Sequence, residues 1–150
     1  MHCLATQVQL AVQEPPEVAA TILVIEDARF VREVTCEILR HAGYRVLQAE
    51  CAAAARKVFR RHGNRIQLLL CDAVLPDSGG AQLAQTLRRG SAGLKVVLVS
   101  GYPAATLRRY LDQELENEFL AKPYCAAALV SKVEMALRNG GSPQSATQTW

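Results

Sequence analysis

Three unbroken apolar runs constrain this chain more than any other feature: Ile22-Leu23-Val24-Ile25, Leu68-Leu69-Leu70-Cys71 and Val96-Val97-Leu98-Val99. A strand with one wet face alternates apolar and polar residues. An uninterrupted β-branched and aliphatic run belongs to a strand covered on both faces, as in a parallel sheet between helices. Helical spacing fills the intervals. Phe30, Val31, Val34, Ile38 and Leu39 recur as one helix face, with Gly43 where that helix would end. The remaining pattern predicts strands over 44–49, 66–71 and 119–121, and helices over 52–61, 80–89, 106–111 and 126–137. Strictly alternating strands and helices demand right-handed crossovers, so the expected fold class is α/β, a doubly wound parallel sheet.

The chain has 150 residues, the length of one ordinary domain, and 50% of them are hydrophobic. A core of that size needs neither metal nor disulfides to hold together, so a metal would be present for chemistry. Seventeen Lys and Arg against 14 Asp and Glu leave a net charge of +3, short of the basic excess of a dedicated nucleic-acid module. Cys3, Cys36, Cys51, Cys71 and Cys125 are odd in number and form no C-x-x-C pair, as expected of bystanders in a reducing cytoplasm. No apolar run approaches the roughly 18 residues of a membrane helix, and the first ten residues lack the Lys or Arg of a signal peptide. Residues 1–20, broken by Pro15-Pro16, are expected to be an N-terminal extension, and residues 139–150 a flexible tail. Arg56, Lys57, Arg60 and Arg61, with Arg65 nearby, put basic charge on one face of the second helix. A solvated face accounts for that charge, and an acidic partner is the functional alternative.

Sheets of this type work at the carboxyl ends of their strands. Glu26-Asp27 follow the first strand, Asp72 the third, Ser100 the fourth and Lys122 the fifth. Carboxylates crowded on one rim repel one another unless a cation joins them, and an all-oxygen set suits Mg²⁺. A carboxylate beside a divalent ion and a lysine can serve as nucleophile toward a phosphoryl group. Nucleotide binding is disfavoured, because Glu26-Asp27-Ala28-Arg29-Phe30 replaces a glycine-rich turn after the first strand and no G-K-[ST] occurs.

ILVIEDARFVRE, LLLCDAVLPDSGG, VVLVSGY and FLAKPY, in this order, resemble the receiver domains of two-component response regulators, over residues 21–138. The resemblance implies a (βα)5 sheet in the flavodoxin-like order 2-1-3-4-5. It also implies Mg²⁺-dependent (or Mn²⁺-dependent) transfer of a phosphoryl group from a partner phosphohistidine. By the same resemblance Asp72 is the phosphoacceptor, Asp27 a direct metal ligand, Glu26 a ligand through water, and Val74 a ligand through its backbone carbonyl. Lys122 would pair with the phosphoryl group, and Lys122-Pro123 would be the peptide the family holds cis. Ser100 would swing toward the phosphoryl oxygen and Phe119 change rotamer with it. Gly80 would end the loop after Asp72. Val74 and Tyr102, neither an acid nor an amide, would tune water access and give slow self-dephosphorylation.

The implied partners are a sensor histidine kinase or a histidine phosphotransfer protein, and a downstream protein meeting the fourth-helix, fifth-strand, fifth-helix face. A homodimer is left open, as is origin in a hybrid kinase, and no helix-turn-helix or wing remains to bind nucleic acid. A Mg²⁺-dependent phosphatase or hydrolase on the same fold, or a scaffold that never takes phosphate, are the competing functions. The first lacks an evident general acid or base beside Asp72, and the second would be expected to lose Asp72 or Lys122.

Overall fold

Each apolar run becomes a central strand. In the computed structural model, which describes residues 19–107 and 119–139, the chain runs β1 (Thr21–Ile25), α1 (Arg29–His41), β2 (Arg45–Ala49) and α2 (Ala52–His62). After a 3-10 turn at Gly63–Arg65 come β3 (Ile66–Asp72), α3 (Gly80–Arg89), β4 (Lys95–Ser100), α4 (Ala104–Leu107), β5 (Phe119–Ala121) and α5 (Ala126–Asn139). The strands form one sheet in the order β2-β1-β3-β4-β5, and every neighbouring pair is parallel. The expected topology is therefore the observed one.

Strand side chains alternate between two apolar layers, so both halves of each run are buried. Leu23, Ile25, Leu69, Cys71, Val96 and Leu98 face Ala52 and Ala55 of α2 and Leu83, Ala84 and Leu87 of α3. Ile22, Val24, Leu68, Leu70, Val97 and Val99 face Cys36 and Leu39 of α1 and Leu129 and Val133 of α5. A fully buried Leu, Ile or Val contributes about 1.5–3 kcal/mol from transfer alone, which makes these two layers the main source of stability.

Helix ends follow local chemistry. At the end of α1, Gly43 takes φ +103°, the Gly43 N–H donates to the Arg40 carbonyl, and the Tyr44 N–H donates to the Leu39 carbonyl. That pair of bonds closes the helix with a left-handed residue, which glycine adopts without a Cβ penalty. Small differences from the sequence expectation fall at element ends, where hydrogen bonding shades off gradually. β2 starts at Arg45 rather than Tyr44, and α5 continues to Asn139, into the stretch assigned to the tail. The helix expected over 106–111 begins earlier, at Ala104, and its residues past Leu107 lie outside the described residues, as do most of the N-terminal extension and residues 140–150. Among the described residues Cys36, Cys51, Cys71 and Cys125 are free thiols, and no helix is long and apolar enough to cross a membrane.

Candidate functional site

The strand register places the polar residues side by side. Ile25 pairs with Cys71, Asp72 with Val99 and Ser100 with Ala121, so Glu26, Asp72, Ser100 and Lys122 lie along one sheet edge. Backbone bonds continue past the strands and hold that edge: the Glu26 N–H donates to the Ala49 carbonyl, Ala73 to Val99 and Lys122 to Ser100.

There the charges meet. Lys122 Nζ donates to Glu26 Oε1 at 2.6 Å and to Asp72 Oδ2 at 2.9 Å. The side chains are 7% exposed for Glu26, 12% for Asp72 and 25% for Lys122, so this is a largely desolvated ion triad. One carboxylate oxygen from each of Glu26, Asp27 and Asp72 lies within 4.8 Å of the others, which could hold a metal ion. The set is all oxygen, and it fits a hard cation such as Mg²⁺. Asp27 stays exposed. The second oxygen of each carboxylate bonded to Lys122 accepts a backbone N–H: Glu26 Oε2 from Ala28 at 3.0 Å, and Asp72 Oδ1 from Val74 at 3.0 Å.

Burial raises the Glu26 carboxyl above its ordinary value, and the Lys122 hydrogen bond only partly offsets it. For Lys122 burial works the other way, but the hydrogen bonds to Glu26 and Asp72 and their negative charges together outweigh it and hold the ammonium above the ordinary lysine value. The lysine is the counter-charge that makes two largely buried carboxylates tolerable.

The other expected residues are distributed as follows. Ser100 is buried, but its Oγ accepts the Tyr102 N–H at 3.0 Å, so in this conformation it serves its own loop. Phe119 is half-buried against the layer formed with α2 and α3. Val74 and Tyr102 are 54% and 58% exposed. The Lys122-Pro123 peptide is cis. Gly80 has a steric reason to be glycine: a Cβ there would stand 1.8 Å from the Asp72 carbonyl oxygen.

Three contacts were not anticipated from sequence. Arg32 Nη1 donates to the Glu26 carbonyl at 2.8 Å and Nε to Gln48 Oε1 at 3.0 Å, bracing the loop after β1. Thr35 Oγ1 and the Tyr124 hydroxyl lie 2.7 Å apart, joining α1 to the segment after Lys122. Asp77 accepts the Ala52 and Ala53 N–H groups at 2.8 and 3.0 Å. The one available signal was negative: Cys51, ahead of α2, is not a preferred capping residue, which leaves room for a stronger acceptor from elsewhere. A groove of about 430 Å³ adjoins Lys122, lined in part by Phe30, Val34, Ile38, Pro123 and Tyr124; Phe30 is 77% exposed.

The site is thus a doubly wound parallel sheet with three acids and a lysine gathered on its carboxyl edge. The sequence model described as the response regulator receiver domain matches residues 22–134. The response regulator receiver protein CpdR of Brucella abortus is 30% identical over 116 residues, spanning 77% of this chain and 95% of that protein. The sensor kinase CckA of the same organism is 29% identical over 119 residues, 79% of this chain but 13% of the kinase. Among solved structures, the receiver domain of the hybrid histidine kinase CckA superposes with a TM-score of 0.66 at 29% identity, covering 79% of this chain and 99% of that one. A receiver domain protein from Clostridium thermocellum reaches 0.72 at 23% identity, covering 79% and 94%, a likeness of fold alone. The chain belongs to the response regulator receiver domain family of two-component signal transduction. Receiver domains are signalling domains that partner with histidine kinases and downstream effectors and bind Mg²⁺ at an acidic pocket.

Proposed function

We propose that this chain is a phosphoacceptor that takes a phosphoryl group from a partner phosphohistidine onto Asp72 and uses it to switch a protein-contact surface. The observation that carries this reading is the Asp72 carboxylate held at 2.9 Å by Lys122, with the Glu26 and Asp27 oxygens alongside. An Asp72 carboxylate oxygen would form the new P–O bond as the P–N bond to the donor imidazole breaks. The bonding pair returns to the imidazole nitrogen. Lys122 faces the oxygens on which charge accumulates, so it stabilises the transferring group by position rather than by reaction. Bound at Asp27, Asp72, the Val74 carbonyl and, through water, Glu26, Mg²⁺ would offset the charge of the phosphoryl oxygens.

The donor must approach Asp72 from solvent, and the exposed apolar groove around Phe30 and Val34 beside Lys122 is the surface on which it would land. Phosphorylation adds charge and strong acceptor oxygens at Asp72. Ser100 would then exchange its bond to the Tyr102 N–H for the phosphoryl group, and Phe119 would follow. Moving such a loop from 1:99 to 99:1 takes about 5.5 kcal/mol of differential interaction. The altered surface is α4, β5 and α5, and Val74 and Tyr102 leave the acyl phosphate long-lived.

Intact-mass measurement after incubation with acetyl phosphate and Mg²⁺ tests this. One phosphoryl mass increment is expected in the wild type and none in Asp72→Asn or without divalent ion. An increment that persists in Asp72→Asn would place the acceptor elsewhere.

A further inference from the structure

The loop between β3 and α3, which carries Val74, closes on itself as a short ladder. The Gly80 N–H donates to the Ala73 carbonyl, Val74 bridges Gly79, and the Leu75 N–H donates to the Ser78 carbonyl. Pro76 and Asp77 form its tip. At the base, Gly80 packs directly on the Asp72 carbonyl, and Leu75 is buried in the core. The tip has no such packing: Pro76 and Asp77 are exposed.

What holds the tip is a helix that starts without a good cap of its own. A helix leaves its first N–H groups without partners inside the helix. Cys51 has the extended backbone of a capping residue, but it offers Ala54 only a sulfur, at 3.4 Å. The first turn of α2 contains no acid. Asp77 supplies both missing acceptors from 25 residues away, one carboxylate oxygen to Ala52 and the other to Ala53. A carboxylate is the favourable group at this positive end of the helix. The same two bonds hold the Asp77 carboxyl below its ordinary value.

We infer that Asp77 is a positioning residue for the acidic site: by tying the loop tip to α2 it fixes Val74 and the Asp72 carboxylate that Val74 bonds. The inference rests on the proposed role of Asp72 and Val74 in holding Mg²⁺ and the phosphoryl group. With the tip released, only the base, through Gly80 and Leu75, holds the ladder, and the Val74 N–H bond to Asp72 Oδ1 loosens. The Asp72 carboxylate is then oriented by Lys122 alone.

The full chain with Asp77→Ala, titrated with Mg²⁺ and followed by amide chemical shifts, tests the assignment. The Mg²⁺ dissociation constant is expected to rise about tenfold, in the range typical of groups that orient a metal ligand. Phosphorylation by acetyl phosphate should slow at limiting Mg²⁺ and recover at excess. Because the substitution also weakens the cap of α2, a second variant combines it with Cys51→Ser, which caps the helix from the residue just before its first turn. That pairing should restore melting temperature and leave Mg²⁺ affinity weak. An affinity for Asp77→Ala within about twofold of the wild type overturns the inference. So does an affinity restored by Cys51→Ser. If the wild type itself neither binds Mg²⁺ nor gains a phosphoryl group, the reading of Asp72 fails and this inference with it. A competent wild type beside an unchanged variant removes Asp77 alone.

Discussion

Leu69 and Asp72 stand three residues apart on β3 under opposite rules. Leu69 has no exposed surface and sits in an apolar layer closed by α2 and α3. Asp72 lies where the strand leaves the sheet, bonded to an ammonium group and a backbone N–H, with two more carboxylates beside it. The first residue contributes stability by being dry. The second is held half-dry at an electrostatic penalty that Lys122 offsets. The layers bury the strands and set where they end; the rim uses those ends to bring together like charges that would otherwise separate.

The comparison can be broken from either side. Leu69→Ala removes apolar volume from a site with no route to collapse, and a loss of about 2–5 kcal/mol in chemical denaturation is expected. The folded fraction should keep its Mg²⁺ affinity. Lys122→Met acts on the rim alone and strips Glu26 and Asp72 of a charged hydrogen-bond donor, which should cost about 1.5–3 kcal/mol in metal-free buffer. Added Mg²⁺ should narrow that gap, whereas it leaves the deficit of Leu69→Ala unchanged. Gly80→Ala joins the two regions: its Cβ meets the Asp72 carbonyl, so about 1–3 kcal/mol of stability and the rate of phosphorylation should fall together. A variant that lost stability while keeping the rate would show that the rim tolerates movement of its backbone.

The smallest effect is one of pH. The Asp77 carboxyl is held below its ordinary value of 3.8, first by the Ala52 N–H and then by the Ala53 N–H. A depressed acid stabilises the fold above its unfolded value and loses that contribution as pH falls through the folded one. The melting-temperature gap between wild type and Asp77→Asn should therefore be full near neutrality and close below pH 3.8.

The layers were legible because burial on both faces leaves a simple mark, an unbroken run such as Leu68 to Cys71. Gly80 and the Glu26, Asp72 and Lys122 rim were legible because each stands at a strand or helix boundary that the pattern locates. Asp77 and Arg32 were not. Asp77 acts across 25 residues on the backbone of another helix, and Arg32 reaches back to a backbone carbonyl; neither contact needs a particular residue type at its far end. Ser100 was legible as a rim residue, but its present partner, the Tyr102 N–H, depends on a loop conformation that spacing does not encode.

The central claim is that the rim makes Asp72 a phosphoryl acceptor. Chemical trapping tests it most directly: phosphorylate with acetyl phosphate and Mg²⁺, reduce with borohydride, and map the peptides by mass. An acyl phosphate on Asp72 is reduced to homoserine at that position, and the account predicts conversion there and at no other carboxylate. Conversion at Glu26 or Asp27, or a phosphoryl group that borohydride leaves untouched, would contradict it.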